Sequence, residues 1–479
     1  MAKKYFIETF GCQMNDLDSE KIAGNLSSNG MEPVEDPKQA DIIILNTCSV
    51  RDKAVQKAYA RLGEIKRQKI QHRDLIVGVV GCMAQLEKEN ILKRAPFVDV
   101  LAGPQKAHVI SDLIQRSCSS QTAAIEMRMD ADHGPVENNN ILRRNPWRAS
   151  ITISEGCNRS CAYCVVPLTR GREKVRPSEN ILREAEDLVS RGFIEILLLG
   201  QTVNSYVDHT VENMNFANLL RTISAIGGVK RIRFTSPHPA DFSDELLEVM
   251  LSHPQVCSHL HLPVQSGSTR ILRAMHRGYT REDYMELVRK IQNAGRPIAI
   301  SSDFIVGFPG ESERDFQDTL SLLDEVQFDS LYSFMYSPRP NTAALNLQDV
   351  ISDKEKRRRL ETLQKKQRHI QYKKNAAYVG QTLEVLADSY ARNRVRLSGR
   401  ADNNKIVNFD GPDVLMGQII QVHITGFGPN SLNGVWIRPK PEGNRQPYRI
   451  LSISEGRKPG MCSRLPIYQT QAGGNNEGN

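Results

Sequence analysis

The chain has 479 residues, a formal net charge of +8, 39% hydrophobic and 25% charged residues, an ordinary balance for a globular protein and too long for a single domain. No apolar run approaches the roughly 20 residues of a membrane span, and "MAKKYFIETFGC" has no apolar stretch long enough for a secretory signal. A cytoplasmic protein with no membrane partner is expected, and in that reducing setting nine cysteines point to metal or catalysis rather than disulfides.

The first stretch, 1–119, alternates apolar strands with helical patterns. "KKYFIETF", "DIIILN" and "LIVGVV" are β-branched or aromatic runs with turn residues close behind, and helical spacing follows around 17–29, 51–69 and 84–94. That is a parallel α/β domain. Cys12, Cys48 and Cys82 each stand just past the end of one of these strands. Parallel strands bring their C-terminal ends to one edge of the sheet, where open α/β sheets bind ligands, so the three thiols are expected to converge. The plainer alternative is three unrelated buried thiols. Residues 120–146 turn polar, with "DADHGPVENNN", and read as a linker.

From Trp147 to residue 375 the alternation resumes. Strands are expected near 149–154, 194–199, 231–235, 258–262, 298–306 and 329–336, with helices near 179–191, 217–226, 243–252, 281–294, 313–326 and 353–375. Phe316, Leu320, Leu323 and Val326 share one helical face. Six βα units in series suit a partial barrel with its chemistry at the C-terminal strand ends. The loop after the first of these strands reads "GCNRSCAYC" and carries Cys157, Cys161 and Cys164. Three close thiols are one short of the four ligands a structural zinc or an iron–sulfur cluster usually takes. No neighbouring Cys or His supplies a fourth, so a [4Fe–4S] cluster with one iron left open to a substrate or cosubstrate is favoured over a zinc loop completed from a distance.

Between Lys354 and Lys374 ten Lys or Arg face two Glu, a local excess equal to the net charge of the whole chain. Such a run fits a polyanionic partner or a solvated helix face, and its thin apolar stripe of Leu360, Leu363 and Ile370 would dock it on the protein. Residues 376–440 give short alternating strands with Gly, Asn and Asp turns, a small all-β barrel ending near Trp436. Residues 441–479 have a composition expected to be disordered. Cys118, Cys257 and Cys462 have no such placement and read as ordinary thiols, and His259 and His261 as packed or hydrogen-bonded strand residues.

"TFGCQMNDLDSE", "NTCSVR", "GCMAQ", "EGCNRSCAYCVVPLTRGRE", "LLGQTVNSY", "HLHLPVQSGS", "SDFIVGFPGE" and "YSPRPNTAA" occur in the order found in the tRNA methylthiotransferases of the radical S-adenosylmethionine (SAM) superfamily, which the chain resembles over roughly 3–440. The resemblance implies two [4Fe–4S] clusters. One, on Cys157, Cys161 and Cys164, would bind SAM through its open iron. The other, on Cys12, Cys48 and Cys82, would deliver sulfur carrying a methyl group from a second SAM. It also implies a C-terminal RNA-binding TRAM module, a tRNA anticodon stem-loop bearing isopentenyladenosine as substrate, modification of carbon 2 of that base at position 37, a one-electron donor such as flavodoxin or ferredoxin, and a monomer. Tyr163, Gly200, Gln201, Gln265, Ser302 and Asp303 are candidates for SAM binding. Arg170, Arg172, Arg357, Arg358, Arg359, Lys365 and Lys366 are candidates for RNA contact. "Gln-Met-Asn" after the first cysteine matches the isopentenyladenosine branch, against relatives acting on threonylcarbamoyladenosine or on a ribosomal-protein aspartate. A non-catalytic RNA-binding protein with a structural metal is the alternative of another class. Leu168 departs from the family, which usually has an aromatic there.

Overall fold

A computed structural model describes residues 2–49, 52–129, 140–392 and 394–438. The expected tail and Cys462 lie outside them. The N-terminal unit is a six-stranded parallel sheet, ordered β2-β1-β3-β4-β5-β6, of β1 (Lys4–Phe10), β2 (Glu32–Pro33), β3 (Ile42–Thr47), β4 (Ile76–Gly81), β5 (Val100–Ala102) and β6 (Ala124–Glu126). β3 and β4 are buried along their whole length, as continuous apolar runs require when helices cover both faces. Those helices are α1 (Gln13–Ser28), α2 (Asp52–Gln71), α3 (Cys82–Glu87), α4 (Glu89–Arg94) and α5 (Ile110–Ser120). One core lies under α1 and α5 and a second under α2 and α4.

The segment read as a linker is partly structural. Ala124–Glu126 pairs with β5 as the sixth strand, too short for its period to stand out in sequence. Arg143 is buried with Nη1 3.3 Å from Glu20 and Nη2 2.6 Å from Glu184, so this connection pins the first unit to the second.

The central unit contains β7 (Arg148–Thr152), a short ladder of β8 (Ser154–Glu155) with β9 (Lys174–Val175), then β10 (Glu195–Leu199), β11 (Arg231–Phe234), β12 (His259–His261), β13 (Ala299–Val306) and β14 (Ser330–Met335). Six of these form two parallel three-stranded sheets, β11-β10-β7 and β12-β13-β14, joined by a bridge between Ile232 and Val256. This is the expected partial barrel, split open between β7 and β14. Its helices are α6 (Val166–Arg170), α7 (Ser178–Ser190), α8 (Phe216–Ser224), α9 (Asp244–Ser252), α10 (Thr269–Ala274), α11 (Arg281–Gln292), α12 (Glu313–Val326) and α13 (Asp353–Ala376). Phe316, Leu323 and Val326 of α12 are fully buried and Leu320 partly so. Ser312 caps that helix in a reciprocal box with Asp315. Ser312→Ala is expected to cost about 1 kcal/mol, read as a lowered urea midpoint with activity retained in native buffer.

The third unit is a closed barrel, β15-β16-β17-β19-β18, of β15 (Thr382–Tyr390), β16 (Leu397–Ala401), β17 (Ile406–Asp410), β18 (Ile419–Phe427) and β19 (Leu432–Trp436). It seats against the N-terminal ends of the central strands. Arg231 donates to the carbonyls of Arg400 (2.7 Å) and Glu384 (2.9 Å), and Arg233 to those of Ala401 (2.8 Å) and Asp402 (3.0 Å). Gly417 lets Trp147 approach so closely that a Cβ there would sit 2.0 Å from the indole nitrogen.

Candidate active site

The N-terminal trio sits where the sheet order reverses. In the order 2-1-3-4 the chain leaves β1 toward one edge and β3 toward the other, and the crevice between their carboxyl ends is the natural ligand site. Cys12 follows β1 and caps α1, Cys48 follows β3, and Cys82 follows β4 and opens α3. The Cys12 thiol is hydrogen-bonded with Cys48, which together with Arg170 holds its pKa well below the usual thiol range against the pull of burial. Burial pushes Cys82 up, although Arg170 opposes it.

The second trio lies on the loop beyond β7 and β8. Gly156 starts it at φ +82°, packed so that a Cβ would stand 2.1 Å from the Arg172 carbonyl oxygen. That tight return tucks the loop against 171–172, where the Cys157 amide donates to the Gly171 carbonyl at 3.1 Å. Cys161 and Cys157 both raise the pKa of Cys164, though burial is the larger cause and brings it to about 12. Arg277 reaches in from beyond α10, its Nη1 3.4 Å from both the Cys161 sulfur and the Tyr163 hydroxyl.

Within each trio the thiols influence one another electrostatically, yet among the described residues no three His, Cys, Asp or Glu converge on the point a single ion would occupy. Single-ion ligands are drawn to one centre at about 2.3 Å. A four-iron cube spreads its thiolates over different irons and accepts a wider triangle. Thiol-only donors and a missing fourth ligand fit such a cube at both places, with Cys12 exposed, Cys48 and Cys82 buried and the second trio half-buried. Cys118 is exposed and Cys257 is buried elsewhere, and neither joins a trio.

The helices beside the two trios pack together across the interface between the first two units. α3, which Cys82 opens, packs on α6, which begins two residues after Cys164. Met14 and Leu17 of α1 share an apolar contact with Leu199 at the end of β10. Arg170 closes α6, is 3% exposed, and gives Nη2 to Asp18 Oδ2 of α1 at 2.5 Å.

The SAM candidates divide. Tyr163 is half-buried beside the second trio. Gln201 lies two residues past β10 with a buried Oε1 that has no partner among the described residues, and Gly200 keeps clear of the Ser154 hydroxyl, 2.7 Å from where its Cβ would be. Gln265 holds φ +78° and is bridged to β13 through its backbone. Asp303 is partly exposed and 3.4 Å from His261. Ser302 does not join them: it is fully buried, and its hydroxyl is used on Leu262 O (2.8 Å) and Val264 N (3.0 Å). Neighbours on a strand face opposite sides, so Ser302 and Asp303 do not line one pocket together. His259 and His261 share the Ser301 hydroxyl at 3.0 Å each, as packed histidines do.

Several groups escaped the sequence reading. Thr152 Oγ1, Ser154 Oγ and His238 Nε2 are buried and, among the described residues, unpartnered, like Gln201 Oε1. They come from β7, β8 and the loop after β11. Buried polar atoms normally find partners, so this row at the carboxyl ends of adjacent strands is suited to a polar ligand. The available signals were the polar ends of "ITIS" and the His of "SPHP".

The RNA candidates divide as well. Arg170 and Arg359 are corrected: both are buried in internal ion pairs, Arg170 with Asp18 and Arg359 with Glu311 (2.7 Å) and Glu355 (2.8 Å). Arg358 pairs with Glu313 and Glu355, and Lys366 with Asp324. Acids from α12 and the segment before it meet these charges when α13 docks, which charge counting along one segment does not see. Arg172, Arg357 and Lys365 are exposed. Lys354, Arg357, Lys365, Arg368 and Tyr372 share one exposed helical face, with the exposed Glu361 standing between Arg357 and Lys365, and Tyr372 continues it onto the small barrel by an edge-on contact with Phe427. Leu168 is 37% exposed, so that position carries no buried packing.

Three family models match: the uncharacterized protein family UPF0004 over 4–103, the radical SAM superfamily over 151–323 and the TRAM domain over 376–437. The chain is 44% identical over 437 residues to a tRNA-2-methylthio-N(6)-dimethylallyladenosine synthase of Solibacter usitatus, covering 90% of this chain and 98% of that one. It is 45% identical to the protein of that name from Koribacter versatilis, with the same coverage, and 42% identical to the one from Yersinia enterocolitica, over 92% of this chain and 94% of the other. Among solved structures, the radical S-adenosylmethionine methyltransferase TsrM of Kitasatospora setae, with cobalamin and a [4Fe–4S] cluster bound, matches with a TM-score of 0.50 at 15% identity, covering 72% of this chain and 77% of that one. At that identity the likeness is one of fold. With the relatives matched over nearly their full length, the chain belongs to the tRNA-2-methylthio-N(6)-dimethylallyladenosine synthase family, tRNA methylthiotransferases of the radical SAM superfamily.

Proposed function

We propose that this enzyme adds a methylthio group to carbon 2 of N6-isopentenyladenosine at position 37 of tRNA, with Cys157, Cys161 and Cys164 holding the cluster that binds SAM and Cys12, Cys48 and Cys82 holding the cluster that delivers sulfur. The observation that supports this reading is the packing of α3, which Cys82 opens, on α6, which follows Cys164. When bound, the clusters and SAM supply an electron, removal of a ring hydrogen and the sulfur. An aryl C–H bond has no acidic proton for a side-chain base to take.

The protein's part is position and exclusion of water. Tyr163, Gly200, Gln201, Gln265 and Asp303, joined by the unpartnered Thr152, Ser154 and His238, line the way to SAM and the base. His238 suits a neutral role, because burial is the largest of the causes that press its pKa down to about 2. The split between β7 and β14 gives a flipped base a lateral entrance. The reading also expects a one-electron donor of flavodoxin or ferredoxin type, a working monomer and a cytoplasmic setting. No helix among the described residues is long and apolar enough to cross a membrane.

Lys354, Arg357, Lys365 and Arg368 are the phosphate-binding side chains, with Arg172 nearer the pocket. Replacing Arg357, Lys365 and Arg368 by Glu is expected to weaken tRNA binding at least about tenfold and to flatten the plot of log affinity against log salt by about one unit for each cation removed. Unchanged affinity and slope in filter binding would move the RNA track elsewhere. The function itself is tested by mass spectrometry of tRNA nucleosides from cells lacking the protein. The 2-methylthio derivative should disappear and return with the intact gene, and undiminished levels would overturn the assignment.

A further inference from the structure

We propose that Arg170 is a positioning residue whose Nη1 donates a hydrogen bond to a sulfur held at the Cys12–Cys48–Cys82 site, a role that rests on the reading of this trio as a cluster site. The guanidinium belongs to the central unit but is buried against the first. Its Nη2 is fixed by Asp18, and its backbone carbonyl accepts from Gln105 Nε2 at 3.0 Å. Cys12 and Cys82 are both within its electrostatic reach. Nη1 is buried and has no acceptor among the described residues. An unpaired buried donor is destabilising, and a charged one held rigid by its own ion pair cannot turn away to find water.

Besides the carboxylates of Asp18 and Glu155, the negative groups that act on this guanidinium are the sulfurs of Cys82 and Cys12, and sulfur carrying negative charge is what a cluster, or a sulfur atom attached to it, presents. Arg170 also lies on the short helix that follows Cys164. The same side chain that touches one cluster site is therefore tied through six residues of chain to the other. Hydrogen bonds and positive charge near cluster sulfurs stabilise the reduced, more negative state. Arg170 thus raises the potential of the N-terminal cluster, and Asp18 tempers it.

The signs make the test specific. In the full chain with Cys157, Cys161 and Cys164 replaced by alanine, only the N-terminal site binds iron, and its potential can be followed by a redox titration read by electron paramagnetic resonance. Arg170→Gln should keep the iron and move the potential negative. Asp18→Asn, which leaves the guanidinium uncompensated, should move it positive. Arg170→Lys should recover part of the shift. An unmoved potential in an iron-replete Arg170→Gln protein would overturn the hydrogen bond. Shifts of one sign in both Gln and Asn variants, or loss of iron in both Arg170 variants, would show a purely structural pin and overturn it too. A parent protein with no iron at this site would remove the underlying cluster assignment, a failure distinct from the others because it precedes any change at Arg170.

Discussion

Replacing Cys12, Cys48 and Cys82 together by alanine is expected to abolish methylthio transfer while leaving SAM cleavage intact. The trio hangs from one unit and the Cys157 loop from another, and each set of thiols has its own strand ends and its own burial. Loss of the first therefore leaves the second fully ligated. Anaerobic iron and sulfide counts should fall from about eight to about four per chain, and 5′-deoxyadenosine should still form with dithionite. The reciprocal alanine set at Cys157, Cys161 and Cys164 should stop both reactions while keeping about four irons. If the first variant still produced methylthiolated tRNA, sulfur would have to come from somewhere other than the N-terminal site. A single count of about four irons in the unmodified enzyme would remove the two-cluster arrangement altogether.

Gly156→Ala should be nearly as damaging from a single methyl group. The residue sits at φ +82°, where an L side chain is strained, and its Cβ would approach the carbonyl oxygens of Arg172 and Gly171 at 2.1 and 2.6 Å. Backbone oxygens cannot swing aside as a flexible side chain can. Left-handed strain together with such a clash comes to about 3–5 kcal/mol, concentrated in the loop that carries Cys157. The expected result is a folded chain, by circular dichroism, that has lost the iron of the second trio and forms no 5′-deoxyadenosine. A Gly156→Ala protein with a full iron count and normal turnover would show that the loop can open without cost, contrary to the packing seen.

Much of this was legible in the sequence because the signals were local. Continuous apolar runs such as "IIIL" and "IVGVV" reveal buried parallel strands, and the strand–turn–cysteine placement at Cys12, Cys48 and Cys82 already contained their convergence, since parallel strands end on one edge. β5, β6 and α10 were missed because three to six residues are too few to show a period. α5, eleven residues long, was missed as well, and the misses at the site are questions of partnership across distance. Arg170 and Arg359 look like any exposed basic residue until Asp18 and Glu311 arrive from 152 and 48 residues away. Ser302 looked as available as Asp303, and only the register of β13 decides which of the two faces the interior. His238 carries no local mark of its burial.

The grip of Arg231 and Arg233 on the carbonyls of the small barrel has a metrical consequence. Four donors from one strand, each spent on a different main-chain oxygen, leave that module no hinge. An RNA seated on it is expected to be held at a set offset from the strand ends of the central unit, so that the nucleotide lying at that offset is the one presented for modification. Selection among bases in the loop is then expected to be partly a matter of measuring length, and replacing Arg231 and Arg233 by alanine should blur the modified position before it weakens binding.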